Sequence, residues 1–470
     1  MPILKQKINA ILENKKVAIL GLGLENFALV KFLIKEKIAC ELTICDSREE
    51  KKLGERYREI SVLAGKRSKT SVKWHLGRNY DRGLGQYDLV MRSPGYPIWS
   101  PALSEIVSGR IISSRRGSLK LKEKSRTLLT SPMQLFFELC PTRNTIGVTG
   151  TKGKGTTASL IYHIFKTGKK RVWLLGNIGV APFEFFSKIR KNDWVVIELS
   201  SFQLESLVVS PRIAVITNFY PDHLSPADPN NPNYHKTLKD YWRAKMNIMG
   251  WQKINSVAII NKKLKDRELH YGYGKKIFFT ASNLESNLPG DHNKENIGAA
   301  VIAVRYGKIS KEVIVRAVKS FAGLPHRLEK IRIVDGVCYY NDSFATAPAA
   351  AMTAINSLSF PIVLIAGGAD KGADFAELSQ LIKARVKFTV LLEGRGTPKI
   401  KSALLSAGYP IGKIEIADSM RSAVNLSRAV ASPGDIVLLS PACASFGMFN
   451  DYKDRGEQFR DAVKKIGKNG

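Results

Sequence analysis

The chain has 470 residues, of which 44% are hydrophobic, and it carries a formal net charge of +32. That length predicts about three globular domains. The lack of an uninterrupted apolar run of about 18 residues argues against a membrane span and favours a cytoplasmic protein. The five cysteines are scattered and form no C-x-x-C pair, which argues against a disulfide framework and a zinc site.

The positive charge is most concentrated in the stretch RIISSRRGSLKLKEKSR, where a single acid accompanies seven basic residues. Such an excess is typical of proteins that bind nucleic acids, anionic membranes or polyanionic small ligands. The stretch has no aromatic residues for base stacking and no nucleic-acid-binding motif, so a generally basic solvated surface is favoured over a nucleic-acid site. The basic residues are Arg110, Arg115, Arg116, Lys120, Lys122, Lys124 and Arg126.

The first segment begins with a β-turn-α-β pattern. The run KVAIL predicts a buried strand, GLGLEN a turn, FALVKFLIKE a helix and ELTICD a second strand. Gly21 and Gly23 fit a G-x-G-x-x-G turn, but Asn26 stands at the third glycine position, and a Gly-x-Gly pair alone is a weak sign of nucleotide binding. An ordinary α/β turn with Asp46 as a helix cap therefore remains an alternative. We predict a Rossmann-like domain over residues 1–138.

The middle segment carries the glycine-rich stretch GVTGTKGKGTT between an apolar strand and a helical pattern. A standard phosphate loop has the pattern G-x-x-x-x-G-K-[ST]. In this chain Val148 replaces the first glycine and Gly155 replaces the hydroxyl residue. The runs RVWLLGN, DWVVIELSS and IAVITNF predict further strands with polar ends, and ligands of parallel sheets gather at the carboxyl ends of strands. We predict a central P-loop ATPase domain with a mostly parallel sheet over residues 139–321.

The last segment again alternates strand and helix patterns. The runs GVCYYNDS, PIVLIAGGAD, FTVLLEG and DIVLLSPA predict strands. We predict a C-terminal Rossmann-like α/β domain over residues 322–470, which makes the chain a three-domain α/β protein.

Nine short strings occur along the chain in the order in which they occur in a known family. They are GVTGTKGKGTT, GNIG, ELSSFQLE, NFYPDHL, YWRAK, GDHNKEN, GLPHRLE, NDSFAT and LLSPACASFGMFNDYKDRG. With these motifs the chain resembles the ATP-dependent Mur ligases of peptidoglycan synthesis. The resemblance is strongest from Gly147 to the end and weakest between Asp46 and Thr130.

The resemblance implies a reaction and its substrates. ATP would phosphorylate the carboxylate of UDP-N-acetylmuramoyl-L-alanine, and the amine of D-glutamate would attack the resulting acyl phosphate. L-glutamate or another amino acid is the alternative acceptor, and a nucleic-acid-binding P-loop protein is the alternative from a different class. We expect a monomer with small-molecule substrates.

The resemblance also implies residues for ATP and for two magnesium ions. Lys154, Glu198, His223 and Lys245 would be catalytic, and Thr156, Glu198, His223 and a carbamylated Lys245 would hold the metal, with Thr157 as the alternative hydroxyl. The residues expected to bind ATP are Gly150, Thr151, Lys152, Gly153, Lys154, Gly155, Thr156, Thr157, Asn293, Asn296, Arg327 and Asp342.

The two other substrates have their own implied residues. Amino-acid recognition would fall to Thr346, Lys371, Ser445 and Tyr452. Phe344 stands where the resemblance implies a lysine, and Ser225 stands where it implies an aspartate. These departures imply either altered turnover or a variant with another acceptor. The uridine nucleotide substrate would contact Leu24, Glu25, Asp46, Ser47, Arg48, Gly95, Asn177, Ser200 and Gln203.

Overall fold

The computed structural model describes residues 2–65, 68–107, 127–225, 233–267, 269–359, 361–370 and 372–467. The basic residues from Arg110 to Arg126 and the predicted ligand Lys371 lie outside these ranges. Across the described residues, no helix combines the length and the apolar character that a membrane crossing requires.

The described chain contains three sheets and divides into two compact units. The first unit comprises residues 1–282 and 295–317 and holds two sheets, whereas the second comprises residues 283–294 and 318–470 and holds one. The predicted α/β class is confirmed. The predicted boundaries at 138/139 and 321/322 stay predictions.

The first sheet has the order β3-β2-β1-β4-β5, and all of its strands are parallel. The two strands predicted from KVAIL and ELTICD are present. The following helix begins at Leu24, earlier than the predicted start at Phe27, because the residues after Gly23 already form its first turn. The strands are β1 (Lys16–Leu20), β2 (Glu41–Asp46), β3 (Ser71–Leu76), β4 (Leu89–Arg92) and β5 (Leu128–Thr130); the helices are α1 (Pro2–Leu12), α2 (Leu24–Lys35), α3 (Glu50–Leu53), α4 (Glu55–Ala64), α5 (Pro101–Val107) and α6 (Pro132–Leu139).

The second sheet is also entirely parallel and has the order β11-β10-β9-β6-β8-β7. Its central strands are buried along their whole length, as expected for a sheet covered on both faces. The strands are β6 (Thr145–Thr149), β7 (Val172–Gly176), β8 (Trp194–Glu198), β9 (Ile213–Ile216), β10 (Val257–Asn261) and β11 (Lys275–Phe279); the helices are α7 (Lys154–Thr167), α8 (Ser201–Leu204), α9 (Leu238–Gly250), α10 (His292–Arg305) and α11 (Lys311–Ser320).

The first two sheets share one hydrophobic core. At its centre Phe32 of α2 meets Phe183 and Phe186, whose ring centroids lie 5.2 and 5.4 Å away, and Phe136 of α6 lies 5.6 Å from Phe186. Aromatic pairs at these separations stabilise a core beyond the burial of their area. The two sheets therefore form one packed body.

The third sheet is mixed and has the order β12-β13-β17-β14-β15-β16. Its strands are parallel except for β12, which pairs antiparallel with β13. The strands are β12 (Glu329–Val334), β13 (Val337–Asn341), β14 (Ile362–Gly367), β15 (Val386–Leu392), β16 (Ile414–Ala417) and β17 (Ile436–Leu439); the helices are α12 (Pro348–Asn356), α13 (Ala376–Arg385), α14 (Thr397–Ser406), α15 (Met420–Val430) and α16 (Tyr452–Lys465).

Candidate active site

The phosphate loop lies at the point where the order of the second sheet reverses. From β6 the chain proceeds to β7 and β8 on one side, and it then crosses to β9 on the other side of β6. Parallel sheets bind ligands at the carboxyl ends of the strands around such a reversal. The loop after β6, Glu198 at the end of β8 and the segment after β9 that leads to His223 therefore share one edge, as their strands predicted.

Two glycines give the loop its shape. Gly150 has a φ of +148°, and a Cβ built there would lie 2.0 Å from Thr217 Oγ1. Gly153 has a φ of +78°, and its Cβ would lie 2.2 Å from Asn296 Oδ1. Side chains are disfavoured at these angles, and neither position has room for one. Both glycines are therefore structural requirements of the loop, and Asn296 of α10 packs directly against it.

Lys154 is the first residue of α7, so its side chain starts from the N-terminus of that helix. Its Nζ donates hydrogen bonds to the carbonyl oxygens of Gly150 at 3.0 Å and Thr151 at 2.9 Å. The backbone N–H of Lys152 donates to Asn218 Oδ1 at 2.8 Å, which ties the loop to the segment after β9. A helix N-terminus with a lysine beside it is an arrangement that favours a phosphate group.

The structure distinguishes the two hydroxyl groups that follow Gly155. Thr157 is completely buried, and its Oγ1 donates to Asn296 Oδ1 at 3.3 Å. Thr156 is partly exposed in the first turn of α7. The hydroxyl of Thr157 thus already has a structural partner, and this observation favours Thr156 as the candidate ligand for a metal or phosphate.

Lys245 is buried in α9, with 1% of its surface exposed. Its Nζ donates to the carbonyl oxygen of Gly150 at 2.7 Å and lies 4.5 Å from the centroid of the Tyr241 ring. Burial lowers its pKa well below the usual value, and the ammonium group of Lys154 lowers it further. The structure therefore places against the phosphate loop an amine whose charged form is disfavoured relative to that of an exposed lysine.

His223 completes the group of predicted catalytic residues at this edge. It is 41% exposed, and its ring meets Phe202 and Tyr241 edge to face, with centroids 5.2 and 5.9 Å apart. Burial lowers its pKa, Asp222 opposes this shift, and the charges of Lys245 and Lys154 add to it. A neutral imidazole is the form that can act as a metal ligand.

Glu198 is 5% exposed at the end of β8, and its charge acts on Lys245. Within the described ranges, no three His, Cys, Asp or Glu side chains cluster as a metal site. Magnesium is commonly held by one or two carboxylates together with substrate phosphates and water. Glu198, beside a phosphate loop, matches that pattern, whereas His223 would add a nitrogen ligand.

The predicted residues for the uridine nucleotide follow three neighbouring strands of the first sheet. Leu24 and Glu25 follow β1, Asp46 ends β2 with Ser47 and Arg48 after it, and Gly95 follows β4. Asp46 accepts hydrogen bonds from the backbone N–H of Leu22 at 2.6 Å and from Arg48 Nη2 at 2.8 Å. Burial raises the pKa of Asp46, but the hydrogen bonds from Arg48 and Leu22 outweigh it and lower the pKa overall.

Asn26, which replaces the third glycine of the turn, is fully buried. Its Nδ2 donates to the carbonyl oxygen of Gly21 at 2.7 Å and to those of Leu20 and Met91 at 3.3 Å. The departure from the glycine pattern therefore has a structural role, because the amide closes the turn and joins β1 to β4. The sequence alone did not indicate this role.

Ser200 and Gln203 form a capping box at the start of α8. Ser200 Oγ accepts from the N–H of Gln203, and Gln203 Oε1 accepts from the N–H of Ser200 at 2.7 Å. Gln203 Nε2 also donates to the carboxylate of Glu25. Asn177 is exposed after β7, and its N–H donates to the carbonyl oxygen of Glu198 at 3.0 Å. The structure thus joins Glu25 to Gln203, whereas their contacts with a substrate stay predictions.

The carboxylate of Glu25 gives a prediction on pH and stability. Burial raises its pKa from the usual 4.5 to about 7, despite the Gln203 hydrogen bond and the charge of Arg92. Its contribution to stability is therefore fully present below about pH 4.5 and is lost as the pH rises through about 7.

We expect Glu25→Gln to match the wild type at low pH and to be more stable at about pH 8 by roughly 2 to 3 kcal/mol. The free energy of unfolding in urea, measured across this range, tests the expectation. Glu55→Gln, a substitution at an exposed first-turn position of α4, is the matched control. An identical pH dependence in wild type and Glu25→Gln would contradict the assignment.

In the second unit, Asp342 and Thr346 follow β13 and Ser445 follows β17; these two strands are neighbours, and β14 lies on the other side of β17. Asp342 is buried after β13, where its Oδ2 accepts from Ser440 Oγ at 2.9 Å and its Oδ1 from the N–H of Leu328 at 3.1 Å. Burial raises the pKa of Asp342 to about 7 against these hydrogen bonds. Thr346 is partly exposed, and Ser445 is buried after β17.

Arg327, Phe344 and Tyr452 lie in contact in this unit. The guanidinium carbon of Arg327 lies 3.7 Å from the centroid of the Phe344 ring. The rings of Phe344 and Tyr452 meet edge to face with centroids 5.0 Å apart. The structure therefore joins a residue predicted for ATP and one predicted for the amino acid through the aromatic side chain that departs from the family pattern.

Asn293 lies one residue into α10, three residues before Asn296. Its Nδ2 donates to the carbonyl oxygen of Pro289 at 2.7 Å. The spacing puts both amides on one side of the helix, as predicted.

The sequence did not indicate the structural roles of two buried arginines, Arg455 and Arg92. Arg455 of α16 donates to Ser343 Oγ at 3.0 Å and to the carbonyl oxygens of Ser343 at 2.9 Å and Cys443 at 3.1 Å. Burial lowers its pKa to about 10. It thereby fastens the loop after β13 to the loop after β17. An arginine within the string DYKDRG was the available signal.

Arg92, the last residue of β4, is the second. Its Nη1 donates to Glu205 at 2.7 Å, and its Nη2 donates to the carbonyl oxygen of Phe202 at 2.9 Å. His235 stacks on Phe202 with centroids 4.8 Å apart, and burial lowers its pKa to about 4. This cluster links the end of the first sheet to α8. An arginine directly after the apolar run LVM was the only local sign.

The parallel sheets, the glycine loop and Lys154 at a helix start define a phosphate-loop nucleotide-binding protein. Three family models match the chain: the Mur ligase MurD-like N-terminal domain over residues 15–112, the Mur ligase middle domain over 148–277 and the Mur ligase glutamate ligase domain over 326–443. The chain belongs to the Mur ligase family, whose members are ATP-dependent ligases of peptidoglycan synthesis.

Curated relatives extend over almost the whole chain. The UDP-N-acetylmuramoylalanine--D-glutamate ligase of Acetivibrio thermocellus is 33% identical, covering 97% of this chain and 97% of its own. The enzyme of the same name from Symbiobacterium thermophilum is 34% identical, covering 96% of this chain and 98% of its own. These similarities confirm that the chain is a ligase of this family.

Solved structures share the fold at lower identity. The UDP-N-acetylmuramate-alanine ligase MurC from Thermotoga maritima matches with a TM-score of 0.53 and 16% identity, over 96% of this chain and all of that one. The MurF ligase from Thermotoga maritima, solved in complex with ADP, matches with a TM-score of 0.54 and 15% identity, over 91% of this chain and 96% of that one. They confirm the predicted fold class.

Proposed function

We propose that this protein uses ATP to join D-glutamate to the L-alanyl carboxylate of UDP-N-acetylmuramoyl-L-alanine. The observation that carries the proposal is the juxtaposition of the phosphate loop with the buried Lys245, whose Nζ lies 2.7 Å from the carbonyl oxygen of Gly150. The two full-length relatives bearing that activity in their names support the choice of substrates.

The reaction needs activation because a carboxylate is a poor electrophile and its oxygen is a poor leaving group. Transfer of the γ-phosphoryl group of ATP to that oxygen gives an acyl phosphate and ADP. The amine of D-glutamate then attacks the acyl carbon, loses a proton, and phosphate leaves. Both steps accumulate negative charge, which Lys154 and the N–H groups of the loop are placed to offset.

Thr156, Glu198 and His223 are the residues that we assign to magnesium. When bound, the metal would supply Lewis-acid stabilisation of the phosphate oxygens. We further assign a carbamate to Lys245. Its neutral amine would attack carbon dioxide, form an N–C bond and release one proton, leaving an anionic oxygen ligand. The lowered pKa of Lys245 supports this step because only the free amine is nucleophilic.

The remaining assignments follow the three sheets. The turns after β1, β2 and β4, with Asn177, Ser200 and Gln203, are assigned to the uridine nucleotide substrate. Asn293, Asn296, Arg327 and Asp342 are assigned to ATP, and Thr346, Lys371, Ser445 and Tyr452 to the amino acid. Lys371 rests on the sequence alone. We also propose a monomer, which sedimentation would test.

Phosphate release tests the proposal. We expect the purified protein to release phosphate from ATP when UDP-N-acetylmuramoyl-L-alanine and D-glutamate are both present. L-glutamate in place of D-glutamate tests the related acceptor, and RNA or DNA in place of both substrates tests the nucleic-acid alternative. Equal ATP consumption without the sugar-peptide, or none under any condition, would overturn the proposed function.

A further inference from the structure

Phe344 lies between two residues assigned to different substrates. Phe344 is 39% exposed, so its side chain gains only part of the stability that full burial of a phenylalanine provides. On one side the guanidinium carbon of Arg327 lies 3.7 Å from the ring centroid. The Tyr452 ring also meets it, at an interplanar angle of 87°. The side chain therefore contacts a cation through its face and an aromatic neighbour through a perpendicular packing.

The backbone around Phe344 is held in place. Its N–H donates to the carbonyl oxygen of His326 at 3.0 Å. Because His326 directly precedes Arg327, this hydrogen bond brings the backbone of Phe344 next to that of Arg327. The preceding residue, Ser343, donates its hydroxyl to the carbonyl oxygen of Tyr452 at 2.7 Å and accepts from the buried Arg455. These hydrogen bonds hold the backbone that carries the ring, and a fixed backbone is what a positioning role requires.

A ring beneath a guanidinium restricts its orientation without neutralising its charge. The face of an aromatic ring attracts a cation, and the planar guanidinium keeps its N–H groups available at the edge. A lysine at position 344, which the family resemblance implies there, would instead bring a second cation close to Arg327. Phe344 therefore changes the way in which positive charge is provided at this place in the fold.

We propose that Phe344 is a positioning residue that fixes the orientation of the Arg327 guanidinium for its contact with ATP, and that Tyr452 packs against the ring and holds it in place. The inference rests on the proposed function, in which Arg327 contacts ATP. It predicts that the ring of residue 344, rather than its bulk or hydrophobicity, sets the affinity for the nucleotide.

The test compares Phe344→Leu, which removes the ring, with Phe344→Tyr, which keeps it. We expect Phe344→Leu to raise the Kd for ATP, measured calorimetrically with magnesium, and the KM for ATP by about three- to tenfold. We expect kcat to change much less. Phe344→Tyr should keep the Kd and the KM for ATP close to those of the wild type. Phe278→Leu is the matched control, because Phe278 is 36% exposed on β11 in the other unit.

A second comparison separates positioning from loss of folding. In an Arg327→Ala background, we expect Phe344→Leu to have no further effect on the Kd for ATP, because its effect acts through the guanidinium. Additive effects, or an unchanged Kd in the single variant, would overturn the inference. A wild type that fails to bind ATP would instead overturn the proposed function, so the two failures are distinguishable.

Discussion

Lys154→Ala is expected to abolish ligation, with a loss of at least about a hundredfold in kcat/KM. Lys154 starts α7, and its ammonium group lies against the loop carbonyls of Gly150 and Thr151. Phosphoryl transfer depends on such a fixed cation, because the charge on the transferred group must be offset as the bond to ADP breaks. The measurement is the release of phosphate and ADP with both acceptor substrates present.

The control for this variant is Lys166→Ala, a substitution at an exposed position near the end of the same helix. It removes the same charge and should leave ligation and thermal stability close to the wild type. We expect the alanine variant to stay folded as well, because alanine is a good helix former at the first position of α7. Undiminished product formation by Lys154→Ala would contradict the assignment of the loop.

Lys245→Met is expected to have two opposite effects. Ligation should fall by about a hundredfold or more, because the amine that we assign to carbamate formation is lost. The thermal midpoint, measured in buffer depleted of carbon dioxide, should rise, because a buried amine carries a desolvation cost that methionine lacks. The carbonyl oxygen of Gly150 keeps a donor in this variant, since Lys154 Nζ lies 3.0 Å from it.

The pH dependence of the Lys245 effect has a definite sign. Its pKa in the folded protein is lowered well below the usual 10.5. At a pH between the folded-state pKa and 10.5, the folded state therefore binds fewer protons than the unfolded state. The stability of the wild type therefore falls as the pH decreases through that window, and the advantage of Lys245→Met should be larger near pH 7 than near pH 10. Lys239→Met, at an exposed position of α9, is the control. A lower midpoint for Lys245→Met would refute the expected gain.

The sequence predicted the parts of the fold that depend on local pattern. Buried runs such as Ile213–Ile216 and Ile362–Gly367 became central strands, and the glycine loop became the connection from β6 to α7. The strand β12 was missed because Glu329–Val334 mixes charged and apolar residues, is mostly only partly buried and carries an irregular register. Its place as an antiparallel edge strand depends on pairing with β13, which no local pattern specifies.

The candidate site was predictable to the extent that its residues follow strands. Glu198 and Asp46 each end a buried strand, and their positions at a sheet edge follow from that alone. The partners of Asn26, Arg92 and Arg455 were not predictable, because these residues form hydrogen bonds to segments far apart along the chain. The contact between Arg327 and Phe344 likewise depends on how two loops meet. Motifs identified the residues, whereas their pairing required coordinates.

The aromatic core shared by the first two sheets has a consequence for selectivity. The turn after β1 and the loop after β6 belong to one packed body, joined through Phe32, Phe136 and Phe186. If the uridine end of the substrate is held at one and its carboxylate reacts at the other, the separation is set by the protein interior. The protein then selects the uridine nucleotide substrate by length, and a substrate of the wrong length is rejected whatever its individual contacts.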